Sequence, residues 1–199
     1  GTHTTVGPLS ATGGYNYPAA MATRPSDGKL VIWNNSDPSA TLAVVDRCSG
    51  TASGVYTMTG SSTTVFTAMA HRQRGVIYLM NQDLYSVDVA AGTHQNVGAI
   101  TLQGDPLGEI GAATLDSQGE ILAVEQADTG SPQRLVRIDP STAKATLIGE
   151  IDFSVGTDLG TVGSIALDSQ GRLWATVYKN RNYEDRPHIF RLHTDSGLA

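Results

Sequence analysis

Residues 111–124 read GAATLDSQGEILAV, and residues 163–176 read GSIALDSQGRLWAT. Each stretch begins with small residues, continues through a turn that closes on glycine, and ends in an apolar run. Apolar runs of this length, bounded by turn residues, are typical of strands, and Asp with Gly is typical of a hairpin turn. The two stretches therefore predict the same antiparallel strand pair twice in one chain.

The same pattern occurs twice more, as AAMATRPSDGKLVIW at residues 19–33 and as TAMAHRQRGVIYLM at residues 67–80. In every copy a third strand is expected next, and an outer strand follows it in the first three. The turn glycines are 47, 44 and 52 residues apart, at Gly28, Gly75, Gly119 and Gly171. Periods of about 40 to 50 residues are typical of the four-stranded blades of a β-propeller.

The repeats predict an all-β fold, a four-bladed β-propeller of four-stranded antiparallel blades in a single domain, residues 1–199. Blade 1 is expected at about residues 17–60, blade 2 at about 66–102, blade 3 at about 109–152, and blade 4 at about 163–199 plus 1–9.

The N-terminal segment is predicted to close the last blade. The fourth repeat stops without an outer strand, whereas GTHTTVG at residues 1–7 matches GTHQNVG at residues 92–98, which leads into the outer strand of blade 2. Pairing the two ends would remove an exposed strand edge. Small residues at alternating positions of the innermost strands also favour a narrow central axis.

The third repeat ends in LVRIDPSTAKATLIG at residues 135–149. This ending resembles that of bacterial β-propeller repeat proteins, and the blades are similar to those of NHL-type, quinoprotein-like and virginiamycin-lyase-like propellers. The resemblance covers nearly the whole chain. It implies the geometry of the blades and says little about a ligand.

Charge and hydropathy exclude some classes of partner. The 199 residues carry a formal charge of -6 and a sequence pI near 5.2, the wrong sign for binding a nucleic acid backbone. No run approaches the roughly 20 apolar residues of a membrane helix, so no membrane insertion is expected. Abundant Gly, Ser and Thr, few lysines and the sequon Asn34-Asn35-Ser36 favour an extracellular or periplasmic location. The single Cys48 cannot form an internal disulfide.

A binding surface is predicted on the rim formed by the loops that precede each inner strand and the loops between second and third strands. Tyr and Arg are concentrated there, as they are in protein interfaces, although a solvated loop is the alternative. The candidate binding residues are Tyr15, Tyr17, Glu109, Glu125, Asp158, Tyr178, Arg181, Tyr183, Arg186 and His188.

No cofactor motif is evident in the sequence. Ca²⁺ or another hard cation could bind in the central channel through Glu109, Asp158 and Glu125 or through inner-strand carbonyl groups. His71 is predicted to be a packed core histidine. The column Asp46, Asp88, Asp139 and His193 repeats once per blade and is predicted to cap turns.

These features favour a non-catalytic binding or interaction module whose rim recognises a protein, a glycan or a surface. One alternative is a lyase or hydrolase on the same rim, in which His188, Glu109, Tyr178 and Arg181 would serve as acid, base and anion clamp. The other is a structural or assembly domain of a larger extracellular protein. A monomer and a self-assembling unit both remain open.

Overall fold

A computed structural model describes residues 18–24, 27–34, 41–46, 48–58, 66–72, 75–126, 132–151, 159–179 and 188–193. These residues form strands and turns and contain no α-helix, so none of their segments is a helix that could span a membrane. The strands group into four antiparallel sheets in a four-bladed β-propeller arrangement, which confirms the predicted fold class.

The first two blades have four strands each, hydrogen-bonded in sequence order. Blade 1 consists of β1 (Pro18–Thr23), β2 (Leu30–Asn34), β3 (Thr41–Val45) and β4 (Ala52–Thr57). Blade 2 consists of β5 (Ala68–His71), β6 (Val76–Met80), β7 (Asp83–Asp88) and β8 (Thr93–Ala99).

Two short strands, β9 (Thr101–Leu102) and β10 (Asp105–Pro106), lie between blades 2 and 3. Blade 3 consists of β11 (Ile110–Leu115), β12 (Ile121–Glu125), β13 (Gln133–Ile138) and β14 (Lys144–Ile151). Blade 4 has three strands in the described part of the chain, β15 (Leu159–Leu167), β16 (Leu173–Lys179) and β17 (His188–Leu192). The predicted closing strand, residues 1–9, lies outside the described residues.

The sequence did not predict β9 or its pairing. β9 runs parallel to the outer strand of blade 3, with Thr101 opposite Lys144 and Leu102 opposite Ala145. The connection that leaves blade 2 thereby becomes an extra strand at the outer edge of blade 3.

Each blade has a following face, which points to the next blade in sequence, and a preceding face on its other side. One apolar cluster joins blades 1 and 2, a second joins blades 2 and 3, and a third joins blades 3 and 4. In the first, Trp33 and Phe66 are fully buried and meet edge to face, with ring centroids 5.2 Å apart. Burying one such side chain stabilises the fold by about 1.5 to 3 kcal/mol. The inner strands pack in the order β1, β5, β11, β15.

We call the turns that join first to second strands, and third to fourth strands, the lower turns. They lie at the end of each blade that is opposite the start of its first strand. Asp46 Oδ1 accepts hydrogen bonds from the amides of Cys48 and Ser49, at 2.8 and 2.9 Å. Asp88 and Asp139 accept equivalent amide hydrogen bonds, so the predicted capping role of this column is confirmed for its three aspartates.

Candidate functional site

The first strand of a blade begins where its second strand ends, as shown by Ile110 opposite Glu125 in blade 3. We call this edge of the blades the upper rim. Hydrogen bonds hold the rims of neighbouring blades together: Thr67 Oγ1 of blade 2 donates to the Ile110 carbonyl of blade 3, at 2.6 Å. The buried Gln133 Oε1 of blade 3 accepts from the Val162 amide of blade 4, at 3.0 Å. One hydrogen bond thus joins the rims of blades 2 and 3, and another joins those of blades 3 and 4.

Four of the ten candidate binding residues lie within the described residues, all of them at this rim. Glu109 precedes β11, and its carbonyl accepts a hydrogen bond from the Gln126 amide at 2.7 Å, which places the Glu109 backbone beside the residue that follows Glu125. His188 begins β17 opposite Val177 and is exposed, and the backbone of Tyr178 follows in β16. The other six lie outside the described residues: Tyr15, Tyr17, Asp158, Arg181, Tyr183 and Arg186.

Glu125 has structural partners. Its side chain is buried, and Oε1 accepts hydrogen bonds from the Gly108 amide at 2.7 Å and from Arg134 Nη2 at 2.8 Å. Arg134 Nε also donates to Oε2, and this carboxylate raises the pKa of Arg134. A buried carboxylate needs such partners to offset its desolvation. Glu125 thus ties together β12, β13 and the segment before β11, and its assignment as a ligand-binding residue stays a prediction.

Two glycines make room for this arrangement. A Cβ on Gly111 would lie 2.5 Å from Gln126 Cγ, so the Gln126 side chain rests directly on the glycine backbone. A Cβ on Gly108 would lie 3.2 Å from Glu125 Oε1. Glycine in a strand commonly marks such a close approach, and the register of β11 shifts between Ile110 and Ala112. Sequence reasoning missed both contacts, as it missed Arg134.

A cavity of about 530 Å³ is lined by residues of the four inner strands and of β2 and β3 of blade 1. Four of the small residues at alternating inner-strand positions, Ala20, Ala68, Ala112 and Ser164, line this cavity. Its volume is in the range of small-molecule pockets. The lining residues are Ala20, Met21, Leu30, Ile32, Val45, Thr67, Ala68, Met69, Gly111, Ala112, Ala113, Gly163, Ser164 and Ile165.

The described residues of this lining include no carboxylate, so they offer a hard cation backbone carbonyl groups and the Thr67 and Ser164 hydroxyl oxygens. Across the residues that the structure describes, no group of three or more His, Cys, Asp or Glu side chains could hold a metal. The predicted cation in the channel stays a prediction.

His71, at the end of β5, is buried in the described structure. Its Nδ1 lies 2.8 Å from the Arg72 carbonyl oxygen and donates a hydrogen bond to it. Burial lowers the pKa of His71. The side chain is therefore a packed, hydrogen-bonded core histidine, as the sequence predicts.

No protein-family model and no curated protein matches the chain. Solved structures do match. Hydrazine synthase of Kuenenia stuttgartiensis is 14% identical with a TM-score of 0.57, over 91% of this chain and 47% of that chain. A chain of the nidogen/laminin complex is 9% identical with a TM-score of 0.56, over 86% of this chain and 64% of that one.

A protein described as a gluconolactonase is 12% identical with a TM-score of 0.56, over 89% of this chain and 60% of that one. A more distant match, with a TM-score of 0.45, is the extracellular domain of BT4673 from B. thetaiotaomicron. The chain spans about half to two thirds of the length of the first three matched structures. At these identities the likeness shows the fold alone, and that fold is the β-propeller.

Proposed function

We propose that this chain is a non-catalytic binding module of an extracellular or periplasmic protein, and that its upper rim recognises a protein, a glycan or a surface. The observation that carries the proposal is the contrast between a braced rim and the long connections that leave it. Thr67, Gln133 and Glu125 fix the rim through hydrogen bonds within and between blades. Rigid elements that present variable loops are the usual support for recognition.

The connections between second and third strands differ sharply in length. In blade 2 this connection has two residues, Asn81 and Gln82, between β6 and β7. In blade 4 the corresponding connection is the eight residues 180–187, NRNYEDRP. It contains one Tyr and two Arg, the residue types that dominate binding energy at interfaces. Blade 4 therefore offers the strongest candidate for a recognition loop.

A glycan array probed with the wild-type chain and with the Tyr183→Ala/Arg186→Ala variant tests this assignment. Any glycan bound by the wild type should lose at least about tenfold in affinity in the variant, as expected for two interface anchors. Arg172→Ala, at a lower turn of the same blade, is the matched control and should bind like the wild type. The same comparison applies to a protein ligand, with immobilised chain as bait.

Equal binding by the rim variant, or an equal loss in the Arg172→Ala control, would refute the rim assignment. The enzyme alternative is separated by activity. A lyase or hydrolase screen whose signal disappears in His188→Ala would show catalysis at the rim and replace the binding-module proposal.

A further inference from the structure

The following face of blade 4 is exposed where the same face of every other blade is buried. The equivalent positions lie on the third strand of each blade, four residues before the turn position that Asp occupies in blades 1 to 3. At that point Leu42, Leu84 and Leu135 are each 0% exposed, because the next blade covers them. The equivalent residue of blade 4 is Ile189, which is 69% exposed.

The second and first strands show the same difference. Three residues after the turn glycine, Tyr78 and Leu122 are buried on the following faces of blades 2 and 3. Trp174, their counterpart in blade 4, is half-buried. On the first strand, Ala112 of blade 3 is buried, whereas the equivalent Ser164 is exposed. On this face of blade 4, Ile189, part of Trp174 and Ser164 therefore meet solvent at positions where the other blades are covered.

The other side of blade 4 is packed in the ordinary way. Leu173, Ala175 and Val177 of β16 are buried against blade 3. Strands that carry apolar residues on both faces belong to sheets that are covered on both sides. β16 carries Trp174 on its other face and so has apolar side chains on both faces, whereas the following face of β17 carries Ile189 together with Arg191.

Blade 1 does not supply the cover. Its preceding face forms an apolar cluster that is confined to blade 1 in the described residues, with Ile32, Ala43 and Val45 at 5% exposure or less. Because these side chains are already buried, the preceding face of blade 1 has little exposed area left to pack against blade 4. This holds for blade 1 of the same chain and for blade 1 of a second copy. The central cavity also separates Ile32 and Val45 of blade 1 from Gly163–Ile165 of blade 4. Formed protein interiors leave few spaces of that size.

The three formed interfaces indicate what does fit. In each, a following face packs against the preceding face of the blade that comes next in sequence, whose third strand presents Val87, Ile138 or Leu192. The matched β-propeller structures are moreover longer than this chain, and the part that matches it covers 47%, 64% and 60% of their length. We propose that the following face of blade 4 is a docking surface for a further blade of the same repeat, carried by a longer form of this polypeptide.

This docking surface, Ser164, Trp174 and Ile189, lies on the side of blade 4 and makes no use of the rim loops. Its test is therefore independent of the proposed binding function. Loss of a glycan or protein ligand in a rim variant would leave it untouched.

Thiol labelling tests the proposal in a Cys48→Ser background, which removes the exposed native thiol. Ile189→Cys is placed both in the 199-residue chain and in the polypeptide encoded by the complete reading frame around it. Ser169→Cys, at an exposed lower turn, and Leu135→Cys, in a formed interface, are the matched controls.

In the 199-residue chain the thiol at position 189 should react as fast as the one at 169. In the complete polypeptide it should react about 100-fold more slowly, close to the thiol at 135. Equal reactivity at 189 in both forms overturns the proposal, and so does a complete reading frame without a further blade. Protection at 189 in the 199-residue chain together with a doubled solution mass overturns it in favour of a second copy.

A stability measurement covers the case in which the short chain does not fold alone. In the complete polypeptide, Ile189→Asp should lower the thermal midpoint about as much as Leu135→Asp, because both would place a carboxylate in an apolar interface. An unchanged midpoint for Ile189→Asp, with a large drop for Leu135→Asp, would overturn the proposal.

Discussion

The lower turns of the blades share one hydrogen-bonding device, whereas the structure of the upper rim varies from blade to blade. At the lower turns one device recurs, in which an aspartate Oδ1 accepts amide hydrogen bonds, as Asp116 does in blade 3 and Asp168 in blade 4. At the upper rim the blades differ: blade 2 has a two-residue connection, blade 3 has a partly buried ion pair between Glu125 and Arg134, and blade 4 has an eight-residue connection. The repeat thus constrains one end of the blade and leaves the other free to specialise.

The largest effect is expected at the rim ion pair. Arg134→Ala leaves the buried Glu125 carboxylate with the Gly108 amide as its remaining described hydrogen-bond donor. The loss should be about 2 to 3 kcal/mol in the free energy of unfolding, less than for a fully buried pair because the Arg134 side chain is 36% exposed. Urea unfolding measures it. Arg24→Ala breaks the exposed pair with Asp27 at a lower turn and should change little; equal losses would remove the contrast.

Gly111→Ala should cost about 1 to 2 kcal/mol, because the added methyl group displaces the Gln126 side chain from the strand. The double variant Gly111→Ala/Gln126→Ala should recover most of that loss. Chemical denaturation of the four members of this cycle gives the coupling free energy directly. Additive losses would show that Gln126 does not limit the space at Gly111.

A smaller effect is expected at a lower turn. Asp139→Ala removes the carboxylate that accepts hydrogen bonds from the Ser141 amide, the Ser141 hydroxyl and the Thr142 hydroxyl. The free energy of unfolding should fall by about 1 kcal/mol at pH 7. Those hydrogen bonds lower the pKa of Asp139 below its ordinary 3.8, with the Ser141 hydroxyl as the largest cause. The stabilisation is therefore present above pH 3.8 and is lost as the pH falls through the lower folded-state value. Unfolding curves of the two proteins should converge in acid; a gap that persists there would contradict the capping role.

The smallest effect concerns His71, whose pKa is lowered by burial. The unfolded chain binds the proton first, so stability should decrease as the pH falls below the ordinary value of 6.5, until the folded state is protonated as well. Thermal midpoints at pH 7.5 and pH 5.5 measure this slope. His71→Phe should show a shallower slope than the wild type, and an identical slope would assign the pH dependence to other groups.

Local chemistry explains what could be predicted from the sequence. The turn glycines adopt positive φ, +85° at Gly119 and +76° at Gly171, and the Asp caps act within a few residues of their own position. Such features depend only on neighbours in the chain.

Contacts that depend on register across strands escaped prediction. Arg134 meets Glu125 because the two face each other between β12 and β13, and Gln126 covers Gly111 because β11 shifts its register there. The central cavity likewise depends on how far apart the blades stand. The rim residues that carry most of the proposed site, from Arg181 to Arg186, remain sequence predictions.

The short strand β9 couples the unfolding of blade 2 to that of blade 3. Its two residues belong to the segment leaving blade 2, yet they lie in the hydrogen-bonded edge of blade 3, and the Thr101 amide donates to the Ala143 carbonyl at 3.1 Å. Separating the outer strands of blade 3 must therefore also disrupt the segment that leaves blade 2 after β8. Repeat proteins often unfold as a series of nearly independent units. Blades 2 and 3 are hydrogen-bonded to each other at their outer edge, so they should unfold together.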